Sequence, residues 1–165
     1  MAKAMFKDRL TIKNTMNIEY LKCPIGDDDF VTEHLKGKLV ELKRTTQILA
    51  KMPYLHEAWT LLKYCGSSAR VTHLQRVLPP TQMIWFNKEF DKLIREAYSS
   101  LLGVHNIPSW SWKIQKLPPR LGGILLRTGL GLCATNYSQS LASANDNMKN
   151  FWPNRYPIKV FKEDA

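Results

Sequence analysis

Ile25-Gly-Asp-Asp-Asp-Phe30 holds the run of side chains with the most obvious chemical potential in this chain. Adjacent aspartates on a tight turn can hold two metal ions close together, where the charge clamps the attacking and leaving oxygens of a phosphoryl transfer. That geometry needs an apolar strand on each side and a further carboxylate from another strand. Here Pro24 and Gly26 break the chain just before, and a helical pattern follows at once. Asp27, Asp28 and Asp29 therefore read as a helix N-terminal cluster, where unpaired N–H groups and the helix dipole favour negative charge. The histidines give no better site. His34, His56, His73 and His105 are scattered, without an i, i+4 pair or a His-Glu-x-x-His pattern. No serine lies in a Gly-x-Ser-x-Gly setting, and Leu121-Gly-Gly-Ile lacks the Lys and Ser/Thr of a phosphate loop. Cys23, Cys65 and Cys133 are too far apart for a metal site or a disulfide framework, and read as small apolar residues of a reducing compartment. The sequence thus predicts no catalytic set, no metal site and no cofactor.

Charge is more informative. The formal net charge is +10 and the pI is about 9.6. A surplus of this size points to a polyanionic partner, nucleic acid before anionic membrane. On the first long helix, Lys36, Lys43, Arg44 and Lys51 fall within about a third of the circumference, opposite a leucine stripe. Lys88, Lys92 and Arg95 cluster on a later helix, flanked by Asp91 and Glu96. Arg70 and Arg76 stand on the short helix between, with His73 midway. Such faces suit a phosphate backbone, where each neutralised phosphate releases counterions and binding becomes salt-dependent. They position a nucleic acid without reading its sequence. The competing reading is a set of ordinary solvated faces. Trp59, Trp85 and Phe86 fit core patterns. Trp110 and Trp112 lie in an irregular stretch where base stacking is conceivable, though core packing is the better reading.

These residues need a scaffold. A chain of 165 residues with 44% hydrophobic content is about one domain with a real core. Leu10-Thr-Ile-Lys13 and Ile18-Glu-Tyr-Leu21 alternate apolar and polar around a turn-like 14–17, which predicts a β-hairpin. A helix then starts at the aspartates, with Val31, Leu35, Leu39, Leu42 and Leu49 on one stripe, and ends at Pro53. Further helices are predicted over 54–64, 69–77 and from Pro80 to Leu101, the last ended by Gly103. Residues 104–126 read as an irregular connection with one short helix over 110–115, and a final helix covers 132–144. The expected fold is mostly α, a helical bundle of about five helices with a short N-terminal β-hairpin. Its divisions are an extended segment over 1–26, a helical domain over 27–144 and a tail over 145–165. With no signal peptide and no apolar run of membrane-spanning length, the expected location is cytoplasmic or nuclear, with no membrane partner.

The order of short motifs adds a resemblance. The chain reads Tyr20-Leu-Lys-Cys-Pro-Ile-Gly26, Phe30-Val31, Ala58-Trp-Thr-Leu-Leu62 and Arg76-Val-Leu-Pro-Pro80. It continues with Phe90-Asp91, Leu117-Pro118, Gly122-Gly-Ile-Leu-Leu-Arg127 and Tyr137-Ser-Gln-Ser-Leu-Ala-Ser143. Over about residues 18–145 this series resembles the region that follows the catalytic domain in reverse transcriptases of non-LTR retrotransposon type. The resemblance implies a thumb-like module of an RNA-directed DNA polymerase, gripping an RNA–DNA or DNA duplex, with the polymerase carboxylates upstream of Met1. It also implies a primer-side hairpin carrying Tyr20, Leu21 and Pro24. Lys22 and Leu125 stand where that family has glycine, which serves turns or close backbone approach. Those departures point to a decayed or repurposed copy and put the tight turn after Leu21 in question. Without an upstream domain, Ile12, Ile18 and Tyr20 would form an apolar patch, so a protein-interaction or self-associating module is the rival expectation.

Overall fold

The computed structural model describes residues 16–151. It begins with a two-stranded antiparallel hairpin, β1 (Ile18–Tyr20) and β2 (Cys23–Ile25), with Ile18 opposite Ile25, Glu19 opposite Pro24 and Tyr20 opposite Cys23. Leu21 and Lys22 form the turn with φ of 49° and 63°. Two left-handed residues in succession are what a two-residue hairpin loop demands, and here neither is glycine. The turn after Leu21 therefore forms despite Lys22. The hairpin differs from the expected one: Ile18–Tyr20 pairs forward with Cys23–Ile25, and the expected strand over 10–13 lies outside the described residues. Pro24 had marked the end of extended chain, but its place opposite Glu19 alternates with the hydrogen-bonded pairs. Its missing N–H therefore removes no ladder bond.

α1 (Asp28–Ala50) follows, with Asp28 and Asp29 in its first turn. Gln82 donates to Asp28 Oδ1 at 2.5 Å, and the backbone N–H of Asp27 donates to Asn17 Oδ1 at 2.9 Å. The triplet is thus a helix start, as its sequence setting predicts. Val31, Leu35, Leu42, Thr46 and Leu49 are buried along one stripe. α2 (Leu55–Leu61) runs into a π-helical turn (Leu62–Gly66) and a 3₁₀ turn (Ser68–Arg70). The predicted helix over 69–77 is shorter than expected, with only α3 (Thr72–Val77) truly α-helical.

α4 (Pro80–Leu101) is the centre of the domain. Met83, Phe86, Phe90 and Ile94 are fully buried on it, and it packs against α1 on one side and α6 on the other. α5 (Ser109–Gln115) matches the short helix expected there. α6 (Gly129–Phe151) overruns the predicted 132–144 at both ends, so residues 145–151 belong to the helix rather than to a tail. Its start escapes the eye because Gly129 and Gly131 read as breakers. Gly129 is required by contact instead: a Cβ there would lie 2.8 Å from Asn87 Oδ1 and 3.1 Å from Phe90 Cδ1. The fold is mostly α with a short hairpin, as expected. No helix among the described residues is long and apolar enough to cross a membrane.

A buried polar cluster ties α3, α4 and α6 together. Gln75 is fully buried and its Nε2 donates to Asn87 Oδ1 and to the Gly129 carbonyl, each at 2.8 Å. Its Oε1 accepts from Asn136 Nδ2 at 2.7 Å. Gln75 thus gains partners on two other elements, α4 and α6, and ties the register of α6 to α3 and α4.

Candidate nucleic-acid interface

The predicted basic residues divide by what surrounds them. Lys36, Lys43, Arg44 and Lys51 are exposed on α1, and Lys88 and Lys92 are exposed on α4. Together with Arg76 they have no carboxylate within salt-bridge range among the described residues. Arg70 and Arg95 differ. Arg70 Nη1 lies 3.9 Å from Glu41 Oε1, and its Nε donates to the Cys65 carbonyl at 3.2 Å. Arg95 is half-buried, donates to the Ile107 carbonyl and stands 6.0 Å from the Trp112 ring centroid. Arg95 thus holds the loop before α5 onto α4, and Arg70 lies beside Glu41, so these two predicted residues already have partners within the fold.

The free cations form separate surfaces. Lys43 and Lys51 line a groove between α1 and α4 together with Leu93, Glu96 and Ser100. At 100° per residue, Lys88 and Lys92 point roughly a third of a turn away from Leu93 and Ser100. They stand on the outer shoulder of α4. Arg76 belongs to a third surface, a cleft of about 610 Å³ shared with Lys63, Tyr64 and Arg127. Lys63 and Arg127 went unmarked in the sequence, because each is an isolated basic residue in its own segment.

The hairpin projects from this body. Tyr20 and Leu21 are 63% and 70% exposed, whereas Pro24 and Cys23 are buried. The His73 ring meets the Leu21 carbonyl at 3.0 Å through Nε2, which fastens the turn to α3. His73 thus has a structural partner rather than a share in a basic face. A mixed pocket lies below, where the Lys38 ammonium hydrogen bond, at 2.6 Å, holds the Glu41 carboxyl below its ordinary range. Among the aromatics, Trp112 is buried beside Tyr98 at 6.2 Å between ring centroids and Trp59 packs 5.4 Å from Tyr98, while Trp110 is exposed rather than in the core.

Burial pushes the Cys133 and Cys23 thiols up, with Glu19 adding to the effect at Cys23, and a raised thiol is a poor nucleophile. No group of three or more metal-ligating side chains assembles among the described residues. What the surface offers is positive charge on rigid helices, free to meet anions. No protein-family model matches this chain, and no curated protein or solved structure matches it either.

Proposed function

We propose that this chain is a non-catalytic nucleic-acid-binding module that grips the phosphates of an RNA–DNA or DNA duplex through its helix surfaces. The observation that carries this reading is the set Lys36, Lys43, Arg44, Lys51, Arg76, Lys88 and Lys92, left without carboxylate partners among the described residues of a chain of net charge +10. Cations in that state gain most from a polyanion, because the phosphates replace water and released counterions supply the entropy.

Its origin, on this reading, is the thumb-like region of a non-LTR retrotransposon-type reverse transcriptase. Two backbone conformations support that descent. The family has glycine where Lys22 and Leu125 stand, and these residues have φ of 63° and 56°, which L side chains adopt at a cost. A side chain that replaced glycine would leave this signature. The module works in the cytoplasm or nucleus, and Tyr20, Leu21 and Pro24 sit on its primer-side hairpin.

Anisotropy of a labelled RNA–DNA duplex at low salt tests the reading. Saturable binding that weakens in Lys43→Gln/Arg44→Gln is expected; a chain that binds no duplex at low salt is not this module. The exposed hairpin residues Met16, Ile18, Tyr20, Leu21 and Ile25 favour a second reading, a self-associating or protein-binding helical module. A sedimentation series in concentration decides that case: a reversible dimer lost in Ile18→Ser/Leu21→Ser supports it.

A further inference from the structure

The cleft between the π-helical turn, α3 and the segment entering α6 differs from the two other charged hollows described above. Lys63, Arg76 and Arg127 line it, and no Asp or Glu does. The groove between α1 and α4 contains Glu96, and the pocket below the hairpin contains Glu19 and Glu41. None of the cleft's cations has a carboxylate within salt-bridge range among the described residues. Like charges gathered on a concave wall raise the local potential, and a bound anion relieves it.

The neutral lining has few donors to spare. Ser67 Oγ donates to the Lys63 carbonyl, Thr72 Oγ1 to the Ser68 carbonyl and Asn136 Nδ2 to Gln75. Recognition therefore falls to the charged groups. Two guanidinium forks match the paired oxygens of a phosphate, while an ammonium adds a point charge. The nearby start of α6 does not compete, since its Gly129 and Leu130 N–H groups already donate to Asp91. Tyr64 stands at the rim, 65% exposed, with the Lys63 ammonium 5.2 Å from its ring centroid. A volume of about 610 Å³ suits a nucleotide rather than a bare ion. A duplex is convex and meets the outer helix faces; an unpaired strand can enter a hollow and lay a base on an aromatic ring.

We propose that this cleft seats a backbone phosphate of an unpaired polynucleotide strand between Arg76, Arg127 and Lys63, with the adjoining base on Tyr64. The nature of the polymer rests on the nucleic-acid reading above; the phosphate seat does not. The test uses the full chain and a labelled ten-nucleotide oligothymidylate, with an RNA–DNA duplex as the parallel probe. Arg76→Gln/Arg127→Gln is expected to weaken oligothymidylate binding at least about tenfold, and Tyr64→Ala about fivefold or more, as removing one stacked base does. Duplex binding is expected to change less than about twofold in Tyr64→Ala, whose ring is no part of the duplex-gripping set. Equal oligothymidylate affinity in wild type and Arg76→Gln/Arg127→Gln overturns the cleft and leaves the duplex reading standing. Oligothymidylate binding that depends on Arg76 and Arg127, with no duplex binding, keeps the cleft and removes the duplex reading. Binding of a phosphoserine peptide with none of oligothymidylate overturns the strand assignment. Should Arg76→Gln/Arg127→Gln fail to fold, Tyr64→Ala alters an exposed ring and carries the same decision.

Discussion

The carboxylate of Asp91, midway along α4, sits on the first backbone N–H groups of α6: Oδ1 accepts from Gly129 at 2.5 Å and Oδ2 from Leu130 at 3.2 Å. A helix start needs acceptors for its unpaired donors, and here they come from a residue far away in sequence rather than from a local cap. Asp91→Ala removes both acceptors and is expected to cost about 1 kcal/mol in urea unfolding.

The same contact sets a pH dependence. Burial raises the Asp91 carboxyl above its ordinary range, and the Gly129 and Leu130 N–H groups and Lys116 offset only part of that. The unfolded chain then releases this proton first as pH rises. Between the ordinary aspartate range and the raised folded value the native state holds more protons, so stability falls with rising pH and is level above both. Unfolding free energies of wild type minus Asp91→Asn, measured from acid to neutral pH, are expected to fall across that window. A difference that rises with pH contradicts the assignment.

Glycines give an opposed pair. A Cβ at Gly37 in α1 meets nothing within 4 Å, so Gly37→Ala is expected to stabilise by about 1 kcal/mol through helix propensity alone. A Cβ at Gly129 meets Asn87 and Phe90, so Gly129→Ala is expected to destabilise by about 1–3 kcal/mol through overpacking. Thermal unfolding of both variants side by side separates the two effects.

Lys22 offers a third check. Its φ of 63° costs an L residue about 1–2 kcal/mol that glycine avoids, part of which returns as unfolded-chain entropy. Lys22→Gly is expected to slow amide exchange across Ile18–Ile25, and Lys22→Val to speed it. Leu125 has the same kind of backbone, but its half-buried side chain also packs, so the gain there is smaller.

Much of this architecture was legible in residue patterning. α1 and α4 are long and carry apolar stripes unbroken enough to read, and Pro80 and Gly103 mark the limits of α4. The hairpin register was not legible, because Pro24 disguises a strand that needs no N–H at that place. The true start of α6 was hidden for the reason Asp91 shows: its cap lies on α4. At its other end, the Ser- and Asn-rich stretch after Leu141 shows no apolar face to mark a helix. The surface was legible only as charge. Periodicity separates a solvated Lys43 from a buried Leu42, but it cannot say that Arg95 meets the Ile107 carbonyl or that Arg70 meets Glu41. Nor can it bring Lys63 and Arg127 to Arg76, since that meeting is made by the packing of α3 and α6.

The central claim is that unpaired cations on the helix surfaces hold phosphates, and the salt dependence of duplex affinity tests it most directly. Each phosphate contact contributes about 0.9 to the slope of log affinity against log salt for a DNA duplex. Wild type is expected to show a steep linear fall, and Lys43→Gln/Arg44→Gln a slope shallower by about 1–2. A duplex affinity indifferent to salt, or a slope unchanged by that double substitution, contradicts the account.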